Sequence, residues 1–286
     1  MVDKEKRAEL KLLAAKMRRD IILMVGVGQP GHIGGSCSAA DIVAVLYGHK
    51  MKNDPKNPKW EGRDKFLMSK GHAAIIQYAA LAELGYFPAK ELPTLKKLGS
   101  MLQGHPDIHK TPGIEANTGS LGQGLSICNG MALAMKLDKK PNRVYCILGD
   151  GELAEGQVWE AAMFAGFKKI DNLVAIIDQN SLGAMGCIAE RMSSNPLPDK
   201  WKAFGWHVLE IDGHSIDEII QALDTAETIK GKPTAIIAHT VKGKGFSFAE
   251  NQPGFHNGAM NQAQYDLGLK EAGAVLADYQ LVGTEA

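Results

Sequence analysis

The stretch Val144-Tyr145-Cys146-Ile147-Leu148, followed by Gly149-Asp150-Gly151, decides the fold class of this chain. Its continuous apolar run predicts a strand that is buried on both faces. A helix is predicted at Gln157–Phe167, and a second apolar strand follows at Leu173–Ile177. Strands without polar alternation that are separated by helices are typical of a parallel sheet. This part of the chain therefore predicts a βαβ unit.

Other apolar runs extend the unit into a larger sheet. Further strands are predicted at Phe66–Met68, Val208–Ile211 and Thr234–Ala238. Apolar residues spaced by three and four positions predict an N-terminal helix that Gly26 ends, and the glycine-rich segment 28–36 is predicted to be a loop. Further helices are predicted at 38–47, 69–84, 125–137 and 215–229. We therefore predict one α/β domain over residues 1–286, with a doubly wound, mainly parallel sheet and helices on both faces.

Composition excludes several classes of protein. The chain has 286 residues, and 32 Lys and Arg balance 32 Asp and Glu. This balance argues against the basic surface of a nucleic-acid-binding protein. No apolar run approaches the roughly 20 residues of a membrane helix. The four cysteines are far apart, which is typical of idle or buried thiols in a reducing compartment. We therefore expect a cytoplasmic protein with neither nucleic acid nor membrane as a partner.

Polar residues follow two of the predicted strands. Asp150 follows the first strand, and Asn180 lies thirty positions later, just past the second strand. The carboxyl ends of parallel strands meet at one edge of a sheet, so these side chains should converge. A carboxylate, an amide oxygen and a carbonyl suit Mg²⁺ or Ca²⁺ and not zinc. Taken singly, Asp150 is also typical of a helix cap and Asn180 of a turn. Together they predict a site for a metal ion and a diphosphate. Gly151 has no side chain, so its backbone could come close to the diphosphate.

This pair of residues resembles the signature of enzymes that use thiamine diphosphate (ThDP). The longer string Gly149–Ala161 is similar to that of transketolases, which transfer a two-carbon ketol unit from a ketose to an aldose. Five other motifs occur in the order of that family, namely Pro30–Gly35, Ser69–Ala73, Gly104–Asp107, Thr118–Gly124 and Thr240–Gly245. The resemblance covers nearly the whole chain, and it is to the N-terminal, pyrophosphate-binding domain. It implies the ThDP-binding fold and the N-terminal subunit of a split transketolase.

The resemblance also assigns roles to residues. It implies that the side chains of Asp150 and Asn180 and the carbonyl of Leu182 bind Mg²⁺, or Ca²⁺ or Mn²⁺. It implies that ThDP is contacted by His72, Gly119, Leu121, Gly151, Glu152 and Asn180. The implied catalytic residues are His32, His72, His105 and His256. Histidine can bind hydroxyls, move protons and stabilise an alkoxide near neutral pH. A single histidine is as often structural, but these four all lie in loops beside glycines.

The resemblance further implies a partner. Glu155 and Glu160 match acidic residues at the subunit contact of the family, although either also fits a solvated helix face. In transketolases, the glutamate that activates ThDP and the residues that grip the substrate phosphate belong to a domain that this sequence does not match. We therefore expect a separate C-terminal transketolase subunit with the pyrimidine-binding domain, an α2β2 heterotetramer, and weak ThDP binding without turnover by this chain alone. The expected substrates are sugars or sugar phosphates.

Alternative functions stay open at this point. The chain could be part of another ThDP enzyme, such as a 1-deoxyxylulose-5-phosphate synthase or a decarboxylase, or it could be a scaffold subunit without catalytic function. For a nicotinamide-binding Rossmann domain, a third glycine would be needed that Gly149–Ala154 lacks. The continuation through Trp159-Glu160-Ala161 favours transketolase, and a scaffold would not need Asp150 and Asn180. One departure from the family is Met185, which stands where an acidic residue is frequent.

Overall fold

The computed structural model describes residues 3–284, which are built around a five-stranded parallel sheet with the order β1-β2-β3-β7-β6. These strands are β1 (Lys65–Met68), β2 (Val144–Gly149), β3 (Leu173–Gln179), β6 (His207–Asp212) and β7 (Thr234–His239). Two short strands, β4 (Leu182–Gly183) and β5 (Gly186–Cys187), form a separate antiparallel hairpin. The five strands predicted from their apolar runs are thus confirmed.

Helices connect the strands and cover the sheet. They are α1 (Lys4–Val25), α2 (Ile33–Ser38), α3 (Ala40–Val45), α4 (Ala74–Glu83), α5 (Gln123–Leu137), α6 (Gly156–Phe167), α7 (Leu197–Ala203), α8 (Ile216–Thr228) and α9 (Gln262–Thr284). The N-terminal helix ends at Gly26, as predicted, where the backbone adopts a φ of 64°. Neither α7 nor α9 is among the helices predicted from the sequence.

The prediction of a loop throughout residues 28–36 is wrong, because α2 begins at Ile33. Gly34 and Gly35 have low helix propensity, so the local sequence does not indicate this helix. Tertiary packing overrides that propensity. A Cβ on Gly34 would lie 3.0 Å from Cγ of Lys242, and Ser36 donates a hydrogen bond to the His32 carbonyl at 2.7 Å.

Two hydrophobic cores lie on opposite faces of the sheet. In β2, Tyr145 and Ile147 belong to the core formed with α1, α3, α4 and α8. The alternate residues Val144, Cys146 and Leu148 belong to the core formed with α5 and α6. Alternate side chains of a strand point to opposite faces, so both faces of β2 are buried. The doubly wound arrangement with helices on both faces is confirmed.

Membrane-spanning helices and cysteine pairing are two features that relate to cellular location. Among residues 3–284, no helix is long and apolar enough to cross a membrane. The four cysteines are free thiols, and Cys37, Cys128 and Cys146 are buried. The cytoplasmic location stays a prediction from the sequence.

Candidate active site

A cavity of about 570 Å³ lies at the carboxyl edge of the sheet. The loops after β2, β3 and β7 contribute Asp150, Asn180 and Lys242 to its lining. The strand register pairs Gly149 with Asp178 and Gln179 with His239, so the three loops leave the sheet at similar heights. The cavity volume is within the range of about 300–1,000 Å³ that is typical of sites for small molecules and cofactors.

The Asp150 carboxylate joins two of these loops. Its Oδ1 accepts a hydrogen bond from the Gly151 amide at 2.8 Å, and its Oδ2 accepts one from the Ser181 amide at 2.5 Å. Burial raises the pKa of Asp150 to about 6, and the negative charge of Asp178 adds to this effect. A cation at this edge of the sheet would favour the ionised carboxylate.

Asn180 and Leu182 place two neutral oxygens beside Asp150. The Asn180 Nδ2 donates to Asp178 at 3.3 Å, and its Oδ1 accepts from the Leu182 amide at 3.2 Å. The Leu182 carbonyl accepts a hydrogen bond from the Lys242 ammonium at 2.6 Å, so this oxygen already faces a positive charge. The three predicted metal ligands therefore lie on neighbouring loops.

The donor chemistry of this set agrees with the predicted kind of metal. Within residues 3–284, no three His, Cys, Asp or Glu side chains are grouped as metal ligands, so a site of the zinc type is not found there. Asp150, Asn180 and Leu182 offer one carboxylate and two neutral oxygens, which fits a hard cation that keeps part of its shell for phosphate or water. The set fits Mg²⁺ on chemical grounds.

The hairpin β4–β5 carries Leu182 over the cavity. Its turn contains Met185, whose side chain is 76% exposed, so the departure from the family lies in the turn and outside the three predicted ligands. Gly151 lines the cavity below, and a Cβ on it would lie 3.7 Å from Ile188. The Gly151 backbone is therefore open to a ligand.

A buried ion pair supports the floor of the cavity. The Lys70 ammonium pairs with the Asp178 carboxylate and donates to the Gly35 carbonyl at 2.7 Å. Ser38 and Thr240 donate hydroxyl hydrogen bonds to the same carboxylate. Burial opposes ionisation of Asp178, but Lys70 and these donors outweigh it and lower its pKa. This pair is not predictable from the sequence, because no local spacing relates two residues 108 positions apart.

Glu152, a predicted ThDP contact, lines the cavity but binds three protein donors. Its carboxylate accepts hydrogen bonds from the Ser69 hydroxyl at 2.5 Å and from the amides of Gly122 and Gly149 at 2.9 and 3.1 Å. These contacts hold the loop around Leu121 against the end of β2, and Leu121 itself lines the cavity. Glu152 therefore shapes the site by positioning this loop.

The same loop approaches one of the predicted catalytic histidines. At Gly119 φ is 146°, and a Cβ would lie 2.9 Å from the His105 ring. Any side chain at this position would be strained and would collide with His105. The close approach therefore requires glycine at a position that the resemblance assigns to the cofactor.

The four predicted catalytic histidines come from four separate segments of the chain and lie close together. The His32 ring centroid lies 5.1 Å from that of His72, 5.5 Å from His256 and 6.3 Å from His105. The rings of His72 and His256 are 4.9 Å apart, and both line the cavity. The structure thus places all four in one cluster.

Burial is the main cause that keeps these imidazoles neutral. It lowers the pKa of His72 to about 2 and that of His32 and His256 to about 4, and nearby positive charges add to the effect. The pKa of His105 is also lowered. A neutral imidazole has one donor and one acceptor nitrogen. Among residues 3–284, the buried Nδ1 of His32 is one of the polar side-chain atoms that have no hydrogen-bond partner.

Glu155 and Glu160, the predicted subunit-contact residues, are exposed at α6 and do not line the cavity. Glu160, Met163, Phe164 and Phe167 share one face of α6, since they are spaced by three and four residues. Met163 is 56% and Phe167 is 77% exposed. A large exposed apolar surface of this kind is typical of a protein interface.

Comparison with known proteins identifies the family. The family described as "Transketolase, thiamine diphosphate binding domain" matches residues 11–275. The chain belongs to this family. It is 46% identical to the 6-deoxy-6-sulfo-D-fructose transketolase subunit of Clostridium sp. (strain MSTE9), covering 93% of this chain and 97% of that protein. It is 42% identical to an apulose-4-phosphate transketolase subunit of Phocaeicola vulgatus, covering 92% and 93%.

A solved structure confirms the fold of the family. The transketolase of Campylobacter jejuni superposes with a TM-score of 0.85 at 30% identity. The match covers 97% of this chain and 46% of that one, so the chain spans about half the length of the longer transketolase. The two subunit relatives, by contrast, are matched over nearly their whole length.

Proposed function

We propose that this chain is the pyrophosphate-binding subunit of a two-component, ThDP- and Mg²⁺-dependent transketolase, and that it forms a single domain of this type. The observation that carries the proposal is the cluster of four histidines, of which His72 and His256 line the same cavity as Asp150, Asn180 and Leu182. Family membership supports it. A scaffold subunit would not need this set of polar groups at one edge of the sheet.

Different residues of the cavity would bind different parts of the cofactor. Asp150, Asn180 and the Leu182 carbonyl would hold Mg²⁺, or Ca²⁺ or Mn²⁺, and the Gly151 backbone and the Lys242 ammonium would bind the diphosphate. Gly119 and Leu121 would contact the aminopyrimidine from the loop that Glu152 holds in place. When bound, ThDP supplies the nucleophilic carbon and the electron sink that cleavage of a ketose carbon–carbon bond requires.

The histidine cluster acts on the sugar. His32, His72, His105 and His256 are neutral at neutral pH, so each can donate a hydrogen bond to one oxygen and accept one from another. Such groups can bind the hydroxyls of a ketose and an aldose. They can also take or return the hydroxyl proton when a carbonyl is formed or consumed. Their low pKa values favour release of a proton once it has been accepted.

A separate chain completes the enzyme in this proposal. Two relatives of almost the same length are named as transketolase subunits, which supports a partner subunit with the pyrimidine-binding domain. We propose an α2β2 heterotetramer in which the exposed face of α6, including Glu160 and Phe167, meets a second copy of this chain. An apolar face with an acidic residue beside it suits burial between subunits better than contact with water.

The substrates are a ketose donor and an aldose acceptor, as free or phosphorylated sugars. One of the two relatives is named for a sulfonated sugar and the other for a sugar phosphate. Similar subunits therefore belong to transketolases with different substrates. We propose that the partner subunit carries the residues that select the anionic end of the sugar.

A reconstitution experiment tests the proposal. The chain would be co-purified with a candidate pyrimidine-domain subunit, and ketol transfer from xylulose 5-phosphate, or from a free or sulfonated ketose, would be measured with and without ThDP and Mg²⁺. We expect turnover only when both chains, the cofactor and the metal are present. Turnover by this chain alone would refute the two-component arrangement. Retained activity in the Asp150→Ala variant would refute the metal assignment.

A further inference from the structure

A hydrogen-bonded series outside the cavity connects four parts of the fold. It consists of Arg18 on α1, Asp41 on α3, His214 in the loop after β6 and Val241 in the loop after β7. The Arg18 guanidinium donates to the two Asp41 oxygens at 3.2 and 2.5 Å. The His214 Nδ1 lies 2.8 Å from Asp41 Oδ2, and the Val241 amide donates to His214 Nε2 at 2.9 Å.

These contacts fix the hydrogen on the His214 ring. A backbone amide can only donate, so Nε2 of His214 is the acceptor and Nδ1 carries the hydrogen that goes to Asp41. Burial opposes ionisation of Asp41, but the charge of Arg18 and the hydrogen bond from His214 outweigh it and lower its pKa to about 2. The ionised carboxylate therefore holds His214 in the tautomer that accepts from Val241.

Val241 is followed directly by Lys242, whose side chain enters the cavity. Lys242 is 2% exposed, and its ammonium donates to the Leu182 carbonyl at 2.6 Å and lies 3.0 Å from Nδ1 of His256. Its stem is closely packed, because a Cβ on Gly34 would come within 3.0 Å of it. A displacement of the backbone at Val241 would therefore carry the ammonium with it.

We propose that His214 is a positioning residue, which accepts the Val241 amide hydrogen and thereby sets the place of the Lys242 ammonium in the cavity. His214 itself does not line the cavity, so it acts through the backbone of the loop after β7. The inference rests on the proposed function only for its effect on ThDP binding. The hydrogen bond between His214 and Val241 can be tested without any cofactor.

Two substitutions at His214 separate its two contacts. In His214→Gln the amide oxygen reaches the place of Nε2, whereas in His214→Asn the shorter amide reaches only the place of Nδ1. We expect hydrogen exchange of the Val241 amide, measured by NMR on the full chain, to be about tenfold faster in His214→Asn and close to wild type in His214→Gln. Equal exchange rates in the wild type and both variants would overturn the inference.

The second measurement is the dissociation constant of ThDP in the presence of Mg²⁺, by calorimetry on the full chain. We expect His214→Asn to weaken ThDP binding about tenfold, because a displaced Lys242 ammonium would lose its hydrogen bond to the charged diphosphate. His214→Gln should bind ThDP about as tightly as the wild type. In a Lys242→Met background, His214→Asn should change the constant by less than about twofold. A full tenfold effect in that background would show a merely structural role and overturn the inference.

The controls keep the two hypotheses distinguishable. Urea unfolding of each variant shows whether it is folded. If His214→Asn is not folded, the exchange rate of the Val241 amide in His214→Gln is compared with that of the wild type. A wild-type chain that binds no ThDP, alone or with its partner subunit, would contradict the proposed function. The exchange rate of the Val241 amide would then decide by itself whether His214 holds that loop.

Discussion

Replacing Glu152 with alanine is expected to destabilise the fold strongly. Glu152 is 2% exposed, and its carboxylate accepts from the Ser69 hydroxyl and from the amides of Gly122 and Gly149. Glu152→Ala leaves these donors without their acceptor in a buried place. An unsatisfied buried donor costs about 1–3 kcal/mol, and the serine hydroxyl can rotate away while the two amides cannot. We therefore expect the free energy of unfolding to fall by about 2–6 kcal/mol.

Urea unfolding followed by circular dichroism measures this change. Glu61→Ala is the matched control, since the Glu61 side chain is 87% exposed and its contact with Lys140 is a surface ion pair. Such a pair contributes about 0–1 kcal/mol. Glu152→Gln should lie between the two, because its amide keeps one acceptor oxygen but turns an NH₂ group toward a donor. If Glu152→Ala were no less stable than Glu61→Ala, the carboxylate would not hold the loop at Gly122.

Three further predictions concern pH, metal and assembly. His72 has a pKa of about 2 in the fold against 6.5 in the unfolded chain, so below pH 6.5 only the unfolded state binds its proton. Stability should therefore fall by about 2 kcal/mol between pH 6.5 and 5 because of this group, and urea titrations of His72→Asn should show a smaller loss; an equal loss would contradict the burial argument. Asp150→Ala should remove the Mg²⁺ dependence of ThDP binding in calorimetry, whereas Asp54→Ala, outside the cavity, leaves it unchanged; a retained dependence would disprove metal binding by Asp150. Phe167→Glu should convert a dimer of this chain into a monomer in light scattering, whereas Lys90→Glu should not, and a wild-type chain that stays monomeric would exclude the proposed contact of α6.

Local patterns predicted most of the fold. The strands β2 and β3 are continuous apolar runs with a helix between them, and this alternation is typical of a parallel sheet that is buried on both faces. The glycines of α2 misled the prediction, because helix propensity is local while the packing of Gly34 on Lys242 is not. Asp150 and Asn180 were predicted to lie close together because the carboxyl ends of parallel strands meet at one edge of the sheet. This inference needs only the topology of the sheet and no knowledge of individual contacts.

Sequence by itself determined the fold class; it also predicted a site at the carboxyl edge of the sheet with Asp150 and Asn180, and the family resemblance added the four histidines. Only the tertiary structure decided how these groups are held and charged. The Lys70–Asp178 pair joins residues 108 positions apart, and the His214–Asp41 contact joins residues 173 positions apart. The physical reason is that burial and the distance between charged groups determine hydrogen bonds and pKa values, and both arise only when distant segments pack together.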